Sequence, residues 1–439
     1  MASANRSTWQ KTRKLFNDIH LWLGLSSGLI IFVVCLSGTI YVFNTELTEW
    51  GTPHLYRVAP PVGAERKSPD AFLQHVEAHS GGAVSSVNVP SDPKRSYTYT
   101  VRTAGDNSRF GTAYLVNPYT GELLGSSTEK NAVKDFMSTM FSLHRWLLLD
   151  KIEQPLIEGL ENRQLGSMIS GWATIIFTLG CITGLVIWFP PKVKNWKQGL
   201  KIKMGRSWKR TNHDLHNSLA FYALALLLVM GITGPQWSFP WYRTGLQKTL
   251  GTYKPEAGPQ GNTPGPQGNT PGPQPHGAMA HGHGAPDRAL HAATADTAQQ
   301  APSLALSALI ASADTHLPYP GDYAISLPAS PGAPAQITKT KIGFFAPAAG
   351  DKVSLDTRTG ALVSLDIFSQ KPFNERIAGS IKALHVGNVY GTFSKILYFF
   401  ACLIATTLPV TGTLIWINKM WKKQKRPRKA PIARQAVAQ

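Results

Sequence analysis

Cysteine is scarce in this chain of 439 residues: Cys35, Cys181 and Cys402 are all it has, and each lies inside an apolar run. No CxxC pair, disulfide framework or Cys-type zinc site can be assembled from them. The polar stretches hold no cysteine, so they are compatible with an oxidising compartment. Charge is thin too, 16% of residues, which is low for a soluble protein of this size. Acids are fewer still, 25 Asp+Glu against 44 Lys+Arg, and the formal charge is +19. No phosphate-cradling glycine loop, HExxH helix or nucleophile elbow occurs, so nucleotide and hydrolase chemistry have no visible footing.

What the chain does have is four long apolar runs, Leu21–Phe43, Gly166–Phe189, Leu219–Phe239 and Tyr390–Ile417. A bilayer crossing takes ~20 residues. None of the four carries a charge at its centre, although Lys395 lies near the start of the last. The first is too long for a signal-peptide core and no small-x-small cleavage site follows it, so it reads as a retained helix. The basic residues set the orientation. The segments 1–20, 190–218 and 418–439 hold 20 of the 44 basic residues but only two acids, Asp18 and Asp214. Both termini and the 190–218 loop are therefore expected in the cytoplasm, with the larger polar blocks outside. These clusters abut membrane helices and lack interleaved aromatics, which argues against nucleic-acid binding.

The first outer block, 44–165, alternates in strand fashion over Ser96–Val101 and Thr112–Val116, and Asn117-Pro118-Tyr119-Thr120-Gly121 reads as a tight turn. The second, 303–384, repeats the pattern with Lys352–Leu355, the turn Asp356–Gly360 and Ala361–Ser364. A helix is expected in each, near 68–80 and 303–315, giving two small α+β domains. A short connector, 240–253, leads from the third span into a Gly/Pro-rich linker, 254–302, where GPQGNTP is repeated at 258–264 and 265–271. Such a composition buries no core. Its histidines, His276, His281, His283 and His291, read either as a loose metal tract or as compositional drift.

Helix, domain, helix occurs twice. His20 precedes Gly38 by 18 residues, and His216 precedes Gly234 by the same 18. Thr183-Gly184 is followed by Trp188 as Thr411-Gly412 is by Trp416. Leu143-His144 and Leu384-His385 precede the apolar runs that begin at Gly166 and Tyr390, in the closing segments 166–189 and 385–417, with some 13 extra residues around Asp150–Asn162 in the first half. The architecture expected is thus a four-helix membrane bundle carrying two outer α+β domains. The duplication puts His20 and His216 at the cytoplasmic ends of spans one and three, and His144 and His385 at the outer ends of spans two and four.

Ligand-capable residues at membrane helix ends are functional candidates by default. Two opposed imidazoles fill both axial positions of a haem iron, which favours electron transfer over oxygen binding. Gly24 and Ala220, four residues after His20 and His216, would leave room for a flat macrocycle, as Gly387 and Gly391 would near His385. Eighteen residues of helix rise ~27 Å, nearly the hydrocarbon thickness, so one haem is expected near each face. Trp22, Trp146, Trp188 and Trp416 read as ring-packing residues or as interfacial anchors. His213, on the same face as His216, is the competing inner ligand. Arg145, Arg163, Arg243 and Lys395 are candidates for meeting haem propionates or an acidic substrate. His54, His75, His79 and His316 show no ligand spacing.

At these residues the sequence resembles the PepSY-associated transmembrane helix family, in particular its iron-regulated membrane proteins and ferric-siderophore reductases of the ferrioxamine-reductase type. The carriers are His20-Leu-Trp-Leu-Gly24 with Ser37-Gly38, Leu143-His144-Arg145, Thr183-Gly184 through Pro190, Asp214-Leu215-His216-Asn217 and Leu384-His385-Val386-Gly387. The resemblance implies a bacterial inner-membrane protein with periplasmic PepSY domains and two b-type haems on His20, His144, His216 and His385. It implies reduction of a periplasmic ferric siderophore, which releases ferrous iron. Some relatives carry a fused flavin reductase; here the implied donor is a separate cytoplasmic flavin or nicotinamide reductase, or quinol. The linker repeat and Ala220 depart from the family pattern. Two other readings of the residues stand beside this one: a non-enzymatic sensor or regulator whose outer domains bind a peptide or protein, and a transporter of siderophore or metal.

Overall fold

The computed structural model describes residues 8–103, 111–190, 193–205, 207–255, 304–328, 330 and 332–424. The 254–302 linker with its four histidines and the basic tail beyond 424 fall almost wholly outside the described residues. The chain passes through two similar successions of elements. The first is α1 (Thr8–Tyr41), α2 (Asn44–Gly51), α3 (Pro53–Tyr56), α4 (Leu73–Ser80), β1 (Ala83–Val89), β2 (Tyr97–Arg102), β3 (Thr112–Val116), β4 (Leu123–Ser126), α5 (Ala132–Trp146) and α6 (Asn162–Trp188). The second is α7 (Trp208–Thr233), α8 (Pro240–Thr249), α9 (Leu306–His316), β5 (Gly321–Ser326), β6 (Ala335–Lys341), β7 (Asp351–Leu355), β8 (Leu362–Asp366), α10 (Phe373–Gly379), α11 (Ile381–Val386) and α12 (Gly391–Gln424). They gather into a helical unit of Met1–Thr39, Leu143–Pro240 and Phe399–Gln439, and a sheet unit of Ile40–Ser142 and Trp241–Tyr398.

Among the described residues, four helices are long and apolar enough to cross a membrane: α1, α6, α7 and α12. The chain is a multi-pass membrane protein. α1 and α7 begin well before the apolar runs that announce them. α1 has 34 residues, ~51 Å of helix at 1.5 Å per residue, so His20 lies twelve residues inside it rather than at its end. Large apolar side chains point outward: Leu15, Trp22, Leu29 and Leu36, spaced by seven, are all exposed along α1. Small residues turn inward, among them Ser27, Ser37, Ala173, Ala223, Ala401 and Ala405. That inversion suits helices whose outer surface meets lipid and whose contacts depend on close backbone approach. Several hydroxyls inside the bundle are satisfied on their own helices, as when Ser37 Oγ donates to the Val33 carbonyl at 2.7 Å and Thr178 Oγ1 to that of Thr174 at 2.7 Å.

In the sheet unit every neighbouring pair of strands is antiparallel, in the order β4-β3-β2-β1-β5-β6-β7-β8. The sequence leads one to expect two small α+β domains, and the strands of both run side by side. β1 pairs with β5 from Ser86↔Ser326 to Val89↔Tyr323, so the two four-stranded halves join into one sheet. The physical reason is a shared core: Val87, Tyr99 and Val116 of the first half pack in one buried cluster with Leu309, Ile325, Ile337 and Val353 of the second. The two expected turns form alike. Asn117 Oδ1 accepts from the Tyr119 amide at 3.0 Å and Asp356 Oδ1 from the Arg358 amide at 2.9 Å. Each turn ends on a glycine in the left-handed region, Gly121 at φ 82° and Gly360 at φ 70°.

Candidate metal centre

His20 on α1 and His216 on α7 converge inside the helical unit. Their ring centroids are 6.3 Å apart and the ring planes cross at 78°. An imidazole–metal bond of ~2 Å on each side, extended to the ring centres, calls for a centroid separation of roughly 6 Å. Two ligands sharing one axis are free to cross at any angle. The outer nitrogen of each ring is held by the neighbouring helix. His20 Nδ1 donates to the Gly180 carbonyl on α6 at 3.0 Å and lies 3.2 Å from Thr183 Oγ1. His216 Nδ1 lies 2.8 Å from Thr411 Oγ1 on α12. That hydroxyl sends its own proton to the Thr407 or Leu408 carbonyl, so its oxygen accepts from the imidazole. A carbonyl or a committed hydroxyl fixes the proton on Nδ1, which leaves Nε2 as the nitrogen able to ligate.

Glycines seat these rings. A Cβ added at Gly184 would stand 3.1 Å from His20 Cε1, and one at Gly412 would stand 3.3 Å from His216 Cε1. Beside Gly24 there is open space, with nothing within 4 Å of an added Cβ. Asn212, one turn before His216, donates to the Thr411 carbonyl at 3.0 Å and so ties α7 to α12 at the same level. His213 is half exposed and lies 3.3 Å from Asn217 Nδ2 and 3.8 Å from Asp214 Oδ1. Of the two α7 histidines, His216 is the one beside His20.

His144, on α5, repeats the arrangement. Its Nδ1 donates to the Val34 carbonyl of α1 at 2.8 Å, and a Cβ at Gly38 would meet its Cε1 at 3.1 Å. Burial and the adjacent Arg145 charge outweigh that bond and pull its pKa below the ordinary histidine value, which keeps the imidazole neutral. His385 belongs to the sheet unit, on α11, which ends at Gly387 in the left-handed region, φ 78°. Gly387 and Gly391 have packing roles of their own near His385. Gly387 lets the chain pass against the Tyr398 ring, and Gly391, at φ 53°, lets it pass the carbonyls of Gly343 and Phe344.

The expected basic contacts have partners within the protein. Arg145 donates to the Trp237 carbonyl at 2.5 Å and to Ser238 Oγ at 3.2 Å, and Arg163 stacks over the Trp146 ring at 4.0 Å. Lys395 pairs with Glu46 at 2.6 Å. Arg243 lies on α8. Trp188 stacks on Phe221 at 3.9 Å, whereas Trp22 is exposed as an anchor would be. Sequence reasoning used Gly38, Thr183-Gly184 and Thr411-Gly412 only as marks of spacing and resemblance; what it passed over is that they, with Gly180, form the seat. The signal was present, since a Ser/Thr-Gly pair occurs in all four spans at 37–38, 183–184, 233–234 and 411–412.

The donor set decides between metal classes. Among the described residues no group of three or more His, Cys, Asp or Glu is placed to hold a metal ion. Two imidazoles are too few for a tetrahedral or octahedral site. They suffice where a porphyrin brings four nitrogens of its own, so the inner pair fits a haem and does not fit a bare ion. No curated protein matches the sequence. The model of the PepSY-associated TM region family matches residues 18–419, nearly the whole chain, and the protein belongs to that family.

Proposed function

We propose that this protein is an electron-transfer reductase of the bacterial inner membrane, binding two b-type haems and reducing a ferric siderophore on the periplasmic side. The observation that carries the reading is the 6.3 Å approach of His20 and His216 with both Nδ1 atoms engaged by neighbouring helices. Bound haem would supply reversible one-electron chemistry with no open coordination position. The protein residues hold and orient. His20 and His216 offer Nε2 from two different helices, Gly180 and Thr411 fix the tautomers, and Gly184 and Gly412 let the rings approach α6 and α12 closely. His144 and His385 are the ligands proposed for the outer haem. The repeated helix–strand–helix order is read as an internal duplication with a periplasmic sheet and cytoplasmic termini. The donor is a cytoplasmic flavin or nicotinamide reductase, or quinol. The siderophore is the acceptor: one electron converts its ferric iron to ferrous, which oxygen-rich donors hold far less tightly.

The test is a reduced-minus-oxidised spectrum of purified protein with pyridine haemochrome quantitation. Anaerobic re-oxidation by a ferric hydroxamate and capture of ferrous iron by a chromogenic chelator would follow. Two haems per chain and stoichiometric ferrous release are expected. A colourless preparation from haem-replete cells would overturn the reading in favour of a sensor.

A further inference from the structure

The loop between β6 and β7 is apolar where a solvent-facing loop should be polar. Ile342, Phe344 and Phe345 are 52%, 50% and 63% exposed. An exposed apolar cluster on a folded protein marks a surface that something covers. The neighbours of this loop say what.

The loop is bound to the first turn of α12, all within the sheet unit. The Phe393 amide donates to the Phe344 carbonyl at 3.3 Å, and that of Ala348 to the Val389 carbonyl at 3.0 Å. Pro347 and Tyr390 form a bridge. Position 391 favours glycine twice over, with φ at 53° and the Gly343 and Phe344 carbonyls 3.0 Å from where a Cβ would stand. The rings continue the join: Phe345 and Phe393 are 4.9 Å apart at their centroids, as are Phe344 and Phe345. Phe393 is already inside the Gly391–Trp421 span. Its exposed apolar surface runs on through Ile396, Leu397 and Phe400 along the same helix. The loop is therefore fixed at the level where a membrane helix begins, with its aromatic tip on a surface continuous with a lipid-facing one.

We infer that residues 342–346 form a membrane-inserted loop, seated at the boundary between headgroups and acyl chains of the leaflet into which α12 opens. Phe344 and Phe345 are its anchors. The occupant of the patch is the bilayer itself, and the inference is independent of any haem.

Spin labelling tests it. The label is placed on Phe345→Cys in the full chain with Cys35, Cys181 and Cys402 replaced by alanine, reconstituted in phosphatidylethanolamine–phosphatidylglycerol vesicles. The reference is Arg358→Cys, at the opposite end of β7, ~17 Å away along a five-residue strand. The ratio of oxygen to aqueous nickel-complex accessibility should be severalfold higher at 345 than at 358. Equal ratios, or protection from both reagents as a protein partner or second copy would give, overturn the inference. The unmodified protein gives a second reading. A photoactivatable lipid should leave adducts within 342–346, and adducts on 397–400 with none on the loop would equally overturn it.

Discussion

A hydrogen bond to its second nitrogen orients an imidazole and strengthens it as a ligand, and for His20 and His216 that partner comes from a different helix each time. Thr411 serves His216 as Gly180 and Thr183 serve His20. Loss of such a supporting bond typically weakens binding ~10–100-fold. Thr411→Val keeps the shape and removes the acceptor, so inner-haem retention during dilution should fall by about that factor, while Thr411→Ser restores it. Gly184→Val acts by bulk. A Cβ alone stands 3.1 Å from His20 Cε1, and the added methyls push the ring off its seat. The variant should lose the inner haem outright, read as a halved haem-to-protein ratio. At this scale the sequence shows the candidate ligands but not their seats. Histidine announces its chemistry by type, whereas Gly184 and Gly412 matter only once α6 lies against α1 and α12 against α7. A Ser/Thr-Gly pair inside an apolar run looks like ordinary helix packing until its neighbour is known.

Among the elements, the spans and the strand–turn–strand patterns were legible because each is encoded over a few adjacent residues. The alternation through Tyr97–Arg102 and the glycines closing both turns needed no distant partner. The joining of the halves was not legible, since β1 and β5 are separated by more than two hundred residues and no local pattern names the partner. Asp70 shows how the join is held. Its carboxylate caps α9 from the other half, accepting from the Leu306 amide, the Ser307 amide at 3.0 Å and Ser307 Oγ at 3.1 Å. Burial pushes its pKa up, but the bonds from Ser68, Leu306 and Ser307 outweigh it and hold the group below the ordinary carboxylate range. A lowered folded-state pKa stabilises above the unfolded value, ~3.9, and that gain is lost as pH falls through the folded one. Asp70→Ala should therefore cost about 1 kcal/mol at pH 7, with the gap to wild type closing only below about pH 4. Thermal unfolding across pH measures both. Ile337→Ala, in the fully buried cluster, should cost ~2–5 kcal/mol and shift the first half's strands together with the second's in hydrogen exchange. Separate shifts would show that the two halves unfold independently.

For the whole molecule, the proposed centre is shared: one ligand from each succession of elements, on helices that meet within the helical unit, while the sheet unit has a core of its own. Two consequences separate this from four independent histidines. Residues that act as one unit are non-additive. His20→Ala and His216→Ala should each remove one haem of two, and the double variant should remove no more than either single. His213→Ala, whose ring is half exposed and turned toward Asn217, should keep both. The second consequence concerns stability. Because the buried cluster of the sheet unit contains neither histidine, emptying the inner site should leave that unit's unfolding transition where it is, while the helical unit, deprived of a bound group, unfolds earlier. Haem stoichiometry and a two-transition melt on the same four preparations measure both. A double variant with less haem than either single would mean that the rings bind separate groups, and the 6.3 Å approach would then have to be explained as packing alone.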